Sequence, residues 1–201
     1  MVDVCNYPIL AELVRDTPWA GRRNEVCYLG GISRTRGIEP IIAALPDTDT
    51  RLNLAGIWSE PDLKAALQRE AGWSRVNDQG VLDRAGVADV LAASKIGLVT
   101  LLPTPSYVES LPIKLFEYMA AGMPVIASDF PLWREIIEDA DCGLLVDPQD
   151  PRAIADAIAQ LLGDDERARL MGLSGKQAVL AKYSWAAEGA KLVDLYRGLA
   201  A

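Results

Sequence analysis

Glu109 and Glu117 stand eight positions apart, and the residues that follow Glu109 are Ser110, Leu111, Pro112, Ile113 and Lys114. An ionised carboxylate accepts hydrogen bonds from hydroxyl groups. A helix that begins among residues 110–113 leaves its first N–H groups without intrahelical acceptors, and these bind an anion through geometry and dipole together. Glu117 falls about a turn and a half into that helix. The chemistry this spacing offers is a diphosphate at the helix end, flanked by two acids that accept from sugar hydroxyls. A glutamate pair is weak by itself, because solvated carboxylates are the rule and Glu117 with Lys114 also reads as an ordinary surface pair three residues apart. Its context decides.

That context is an alternation of strands and helices. The apolar run at 26–29, the pair Gly30-Gly31 and a helical stripe of Ile38, Ile41, Ile42 and Leu45 form a first unit. A strand at 52–55, a helix opened by Pro61, a weak strand around Val76 and a helix over about 82–92 come next. The run at 96–102 is apolar on both faces, as a central parallel strand is, and Pro103 and Pro105 end it before a loop to Glu109. A helix over about 112–121 stops at Gly122 and Pro124, a buried strand follows at 125–127 and another at 142–146, and Asp150-Pro151 caps the next helix. Trp185, Leu192, Val193, Leu195, Tyr196 and Leu199 have helical spacing in the last helix and read as packing residues.

This order predicts an α/β fold with a doubly wound, Rossmann-like parallel sheet, whose ligands bind outside the carboxyl ends of the strands. Residues 1–24 do not join the alternation and read as the tail of a preceding domain and a polar linker, leaving 25–201 as the domain proper. The strings Asp47-Thr48-Asp49 and Asp139-Ala140-Asp141 each precede a strand, so they lie at the wrong rim for a metal-binding carboxylate pair at the ligand site.

Composition narrows the function classes. Of 201 residues, none is histidine, so the commonest general base and metal ligand is missing and chemistry must run on carboxylates, cations and backbone amides. A net charge of −8 argues against nucleic acid or anionic lipid as partners. No apolar run spans a bilayer. Three scattered cysteines, Cys5, Cys27 and Cys142, fit a reducing cytoplasm.

The stretch 109–128, with its Glu, seven residues, Glu, and then Gly122-Met123-Pro124-Val125-Ile126-Ala127-Ser128, resembles the signature of the retaining GT-B glycosyltransferases of family 4. The likeness extends to 28–38, similar to that family's first strand and phosphate loop, and to 142–148, similar to its late strand and turn. The resemblance implies that 25–201 is the nucleotide-sugar donor domain, one half of a GT-B enzyme whose N-terminal acceptor domain is missing. It implies transfer of a hexose from a UDP- or GDP-sugar to a saccharide or lipid-linked acceptor, in the setting of polysaccharide assembly. By the same resemblance Glu109 contacts the donor hexose, Glu117 the ribose, and the amides of 110–113 the diphosphate. Arg36 stands where the family carries a phosphate-binding lysine. Gly31 replaces the family's arginine after the first loop glycine, a loss for which Arg34 offers compensation. Base contacts are expected from backbone near 74–80, with Val76 and Val81 as candidate base-pocket residues. With Arg36, Arg34, Lys114 and the helix end to neutralise the leaving diphosphate, the expectation is transfer without a metal or other cofactor. The chain alone should bind donor and turn over poorly, in the cytoplasm or at the inner membrane face through the missing domain. Two other readings stand beside this one: a nucleotide-sugar epimerase of the same fold, and a non-catalytic module in which Glu109 and Glu117 face solvent with no pocket between them.

Overall fold

Six parallel strands account for the alternation read in the sequence. A computed structural model describes residues 5–9, 13, 15 and 17–199, excluding the side chains of 186, 187, 194, 198 and 199; residues 1–4, part of the stretch read as the tail of a preceding domain, lie outside it. The elements in chain order are β1 (Arg23–Leu29), α1 (Ile38–Ala44), β2 (Arg51–Ala55), α2 (Pro61–Leu67), β3 (Val76–Asp78), α3 (Arg84–Ala93) and β4 (Ser94–Val99). They continue with α4 (Pro105–Val108), α5 (Ile113–Ala120), β5 (Val125–Ser128), α6 (Pro131–Ala140), β6 (Gly143–Val146), α7 (Pro151–Gly163), α8 (Asp165–Lys182) and α9 (Trp185–Leu199).

The sheet order is β3-β2-β1-β4-β5-β6, every pairing parallel. Successive side chains of a strand point to opposite faces, and both faces here are apolar. Val26 and Tyr28 of β1, Ile96 and Leu98 of β4 and Ile126 of β5 enter one core layer with α1 and α7. Cys27, Leu29, Val99, Val125 and Ala127 enter the other with α5 and α6. The order reverses between β1 and β4, and the loops leaving their carboxyl ends diverge there to open a crevice.

Three local devices aim the crevice. Gly30, at φ 111°, turns the chain out of β1, and Gly56, at φ 152°, packs its backbone against the Gly30 carbonyl so closely that a Cβ would lie 1.6 Å from that oxygen. Gly97 in β4 leaves room for the Tyr118 ring, whose hydroxyl accepts a 2.9 Å hydrogen bond from the Leu29 N–H and so fastens α5 to the end of β1. Buried Arg22 donates to the carbonyls of Leu91, Ser94 and Ala121, tying the opposite end of the sheet to α3 and α5.

The structure refines some expectations. The segment between β4 and Glu109 holds the helical turn α4 rather than an open loop. Val193, Leu195 and Tyr196 of α9 are exposed, so they do not pack within the described residues as their spacing implied. The described part of 1–24 lies against the domain: Leu13 is buried, Tyr7 meets Phe116 edge-on at 4.9 Å, and the Cys5 N–H donates to Glu188.

Candidate functional site

The crevice at the carboxyl ends of β1 and β4 holds a cleft of about 370 Å³. Leu29 and Gly30 form its β1 side, Leu101 and Tyr107 its β4 side, and Ser110, Pro112, Ile113, Lys114 and Glu117 the wall made by α5 and its approach; Arg36 closes it from above α1. Pro112, the N-cap of α5, has extended backbone (ψ 124°) and no N–H to satisfy, and its carbonyl accepts from Leu115 at 3.0 Å. The amides of Ile113 and Lys114 are first in the helix and have no intrahelical acceptor.

Lys114 is the unusual group. It is 7% exposed, and its ammonium nitrogen lies buried without a hydrogen-bond partner among the described residues, 3.6 Å from the centroid of the Tyr28 ring. Burial foremost, and then the nearby Arg36, push its pKa down to about 7, against weaker support from Glu117 and Cys27. The surface ion pair that the three-residue spacing with Glu117 suggested is not formed: α5 buries Lys114, Leu115, Phe116, Tyr118, Met119 and Ala120, almost its whole circumference, so the lysine points inward.

This burial has a cost that can be measured. The folded pKa lies below the unfolded value of 10.5, so as pH falls from there toward 7 the unfolded chain gains a proton that the folded chain does not. Native stability is therefore eroded progressively across that window and the loss levels off below it. Lys114→Met removes the loss. Denaturant unfolding of the variant should show it more stable than the wild type by about 2–4 kcal/mol near pH 7 and by little near pH 10. A destabilised variant at pH 7 would show the ammonium to be satisfied.

Glu117 lines the same cleft with its side chain 18% exposed, 3.6 Å from Arg84 at the start of α3. Burial raises its pKa, and Arg84 and Lys114 oppose that rise. Arg36 lies over Gly31, its guanidinium carbon 3.3 Å from where a Cβ at Gly31 would stand, and 5.9 Å from the Tyr107 ring. The cleft thus gathers an arginine, a buried lysine, one partly buried acid and a helix N-terminus.

Other predicted residues fall elsewhere. Glu109, at the C-cap of α4, is exposed and outside the lining of the cleft, although Tyr107 and Ser110 on either side of it are part of that lining. Arg34 is not brought to the cleft: its guanidinium is held by Glu39 at 2.8 Å and Glu60 at 3.3 Å, and its backbone N–H also donates to Glu60. The Ser110 amide is spent on the Tyr107 carbonyl at 3.3 Å, and Leu111 packs against the core beside α5. Val76, at the start of β3, packs into the core layer and lines no part of either cavity, because the carboxyl end of β3 lies two residues on. Val81 is exposed and lines an adjoining apolar pocket of about 240 Å³ with Gly31, Ala55, Gly56 and Ile57; Leu29 and Gly30 border both cavities. The sequence reading missed Tyr28, Arg84 and Tyr107, for which spacing gave no signal, since each is defined by what faces it across the crevice. A third depression of about 380 Å³ carries the carboxylates of Glu39 and Glu70 and no cation among its lining residues, which makes it a poor seat for a phosphate.

The geometry can be set beside known proteins. The family described as Glycosyl transferases group 1 matches residues 11–178. Over 192 residues the chain is 32% identical to the GDP-mannose-dependent alpha-(1-6)-phosphatidylinositol monomannoside mannosyltransferase of Mycobacterium tuberculosis, covering 89% of this chain and 48% of that protein. The solved sucrose-phosphate synthase of Thermosynechococcus elongatus superposes with a TM-score of 0.81 at 28% identity, covering 96% of this chain and 51% of the other. The C-terminal domain of a glycosyl transferase group 1 family protein from Francisella tularensis superposes with a TM-score of 0.75 at 21% identity, covering 88% of this chain and 98% of that domain. The chain spans about half the length of the curated relatives it matches. With its sheet order, its crevice and a family match over most of its length, the chain has the Rossmann-like fold of a GT-B half and belongs to the group 1 glycosyltransferases.

Proposed function

We propose that this chain is the donor-binding half of a retaining, metal-independent glycosyltransferase that moves a hexose from a UDP- or GDP-sugar to a saccharide or lipid-linked acceptor. One observation carries the reading: a buried lysine without a hydrogen-bond partner among the described residues, an arginine and the open end of α5 converge on one cleft at the switch point of the sheet. Departure of a nucleoside diphosphate concentrates negative charge on its phosphate oxygens, and fixed cations and amides aimed there stabilise it in the transition state. Arg36, Lys114 and the first amides of α5 supply that field, and Glu117 accepts from the ribose hydroxyls. The apolar pocket beside Val81 suits a nucleobase, since it adjoins the cleft through Leu29 and Gly30. Glu109, at the rim, is assigned to the hexose, which would sit farther out than the diphosphate. The acceptor site is assigned to a separate domain, in keeping with a chain that spans about half the length of the relatives it matches. The GDP-mannose dependence of the mycobacterial relative supports a nucleotide-linked sugar as donor.

A non-catalytic module is the competing reading, and the exposure of Glu109 favours it; the burial of Glu117 and Lys114 in one cleft does not. Thermal unfolding with UDP and with GDP, each with EDTA, separates them. A ligand at 100 times its Kd stabilises by about 2.7 kcal/mol, roughly 5–10 °C for a domain of this size. Glu117→Ala should weaken nucleotide binding by about tenfold through loss of the ribose contact. A melting temperature unmoved by millimolar UDP and GDP alike would sink the donor-binding reading.

A further inference from the structure

We propose that Lys114 takes up a proton from solvent when a nucleoside diphosphate enters the cleft, so that the cation gripping the diphosphate is made on arrival. The proposal rests on the donor-binding reading above and adds to it how the site is charged.

The geometry sets the problem. An ammonium has three donors and no acceptor capacity, and the Lys114 nitrogen, buried, has no acceptor for any of them among the described residues. Burying a charge in that condition is costly enough that the group gives up its proton instead. The groups facing it can be weighed element by element. From the turn before α1 comes the guanidinium of Arg36, which repels a second positive charge. From β1 come the Cys27 thiol and the Tyr28 ring; the thiol is itself held neutral by burial, its pKa pushed up to about 12, and the ring face is the one close attraction an ammonium has. On α5 stands Glu117, shared with Arg84 of α3 at 3.6 Å. Lys114 also lies in the first turn of α5, where the helix dipole is positive. Burial and the neighbouring cation outweigh the ring and the shared acid, in keeping with a pKa of about 7.

A diphosphate reverses that balance. Its oxygens supply acceptors, and its charges favour the ammonium, as an opposite charge within about 4–6 Å does. The amine then gains a proton from water or buffer, and releases one when the diphosphate leaves. No other bond changes. Since the folded, empty site holds its proton only below about pH 7, uptake is small at pH 6 and rises toward one proton at pH 8. Affinity correspondingly falls as pH rises above 7, at most about tenfold per pH unit.

Isothermal titration calorimetry of the 201-residue chain with GDP and with UDP decides the matter. It is run at pH 8 in Tris and in Hepes, whose ionisation heats differ. The second phosphate ionisation, near pH 6, is complete there and does not contribute. The expected result is uptake of more than half a proton by the wild type at pH 8 and clearly less at pH 6. Lys114→Arg, charged throughout, binds without uptake, and Lys114→Met binds at least tenfold more weakly, also without uptake. Binding by the wild type with equal heats in both buffers at pH 8 overturns the proposal and leaves the donor-binding reading standing. Uptake that survives in Lys114→Met also overturns it. Failure of UDP and GDP alike to bind the wild type at millimolar concentration overturns both, and poor folding of a variant has no bearing on that outcome.

Discussion

Gly37→Ala should cost this domain about 4 kcal/mol or more, whereas Gly80→Ala should cost about 1 kcal/mol, although both glycines have positive φ. Their angles are similar, 76° and 66°, so the intrinsic left-handed penalty of about 1–2 kcal/mol is common to both. They differ in what a Cβ would meet. At Gly37 it would fall 1.8 Å from the Thr100 carbonyl oxygen, whereas at Gly80 nothing lies within 4 Å. Gly37 ends the turn that carries Arg36 and starts α1, and the adjacent Thr35 carbonyl accepts from Leu102 at 2.9 Å. The only relief is to push this turn away from the end of β4, which would break that bond and carry Arg36 out of the cleft. A loss of that size is a large part of the stability of an ordinary domain. Urea unfolding of the two variants side by side measures it, and equal losses would show that the close approach at Thr100 does not constrain the turn.

This contrast also marks what could be read from the residues alone. The doubly wound sheet was legible because the central strands β1, β4 and β5 carry apolar residues on both faces and key helix boundaries carry their own signals: Gly122 at φ 71° after α5, Asp150 accepting from the Arg152 N–H ahead of α7, and Pro151 at its first turn. The start of α5 was legible from Pro112 onward. Lys114 was not, because periodicity separates an apolar face from a polar one and α5 is buried nearly all round, so its single lysine had no exposed face to occupy. Arg34 and Arg36, two residues apart in a tight turn, were both candidates, Arg36 by its place in the family's loop and Arg34 only as a substitute for the arginine missing at Gly31; the structure separates them through Glu39 and Glu60, which engage the first and leave the second facing the cleft. Val76 and Val81 look alike as apolar residues near a weak strand, yet one begins β3 and packs while the other follows its end and lines a pocket. In each case the missing information was which partner arrives from a distant part of the chain.

Arg36→Met should weaken UDP or GDP binding by roughly 30- to 300-fold, the effect of removing one partner from a desolvated charge pair worth about 2–3.5 kcal/mol. Arg34→Met should change it less than about threefold, since that guanidinium is already engaged at the surface. A second consequence sets Arg36 apart from an ordinary phosphate ligand. It is one of the groups that drive the proton from Lys114, so its removal lets the lysine stay charged to higher pH. The variant should bind weakly and also take up less proton on binding at pH 8 than the wild type does. Titration calorimetry of both variants tests this; an Arg34→Met loss equal to that of Arg36→Met would show that the assignment of the two arginines is wrong.

Every functional assignment above depends on a diphosphate sitting at the amino end of α5, against Lys114. A crystal structure of the chain with UDP or GDP bound reveals whether it does. Phosphate oxygens are expected within hydrogen-bond distance of the Lys114 nitrogen and of the Ile113 and Lys114 amides, with the ribose on Glu117 and the base beside Val81. A nucleotide bound in another cavity, or one whose phosphates turn to solvent while Lys114 keeps its place unpartnered over Tyr28, would be incompatible with that placement.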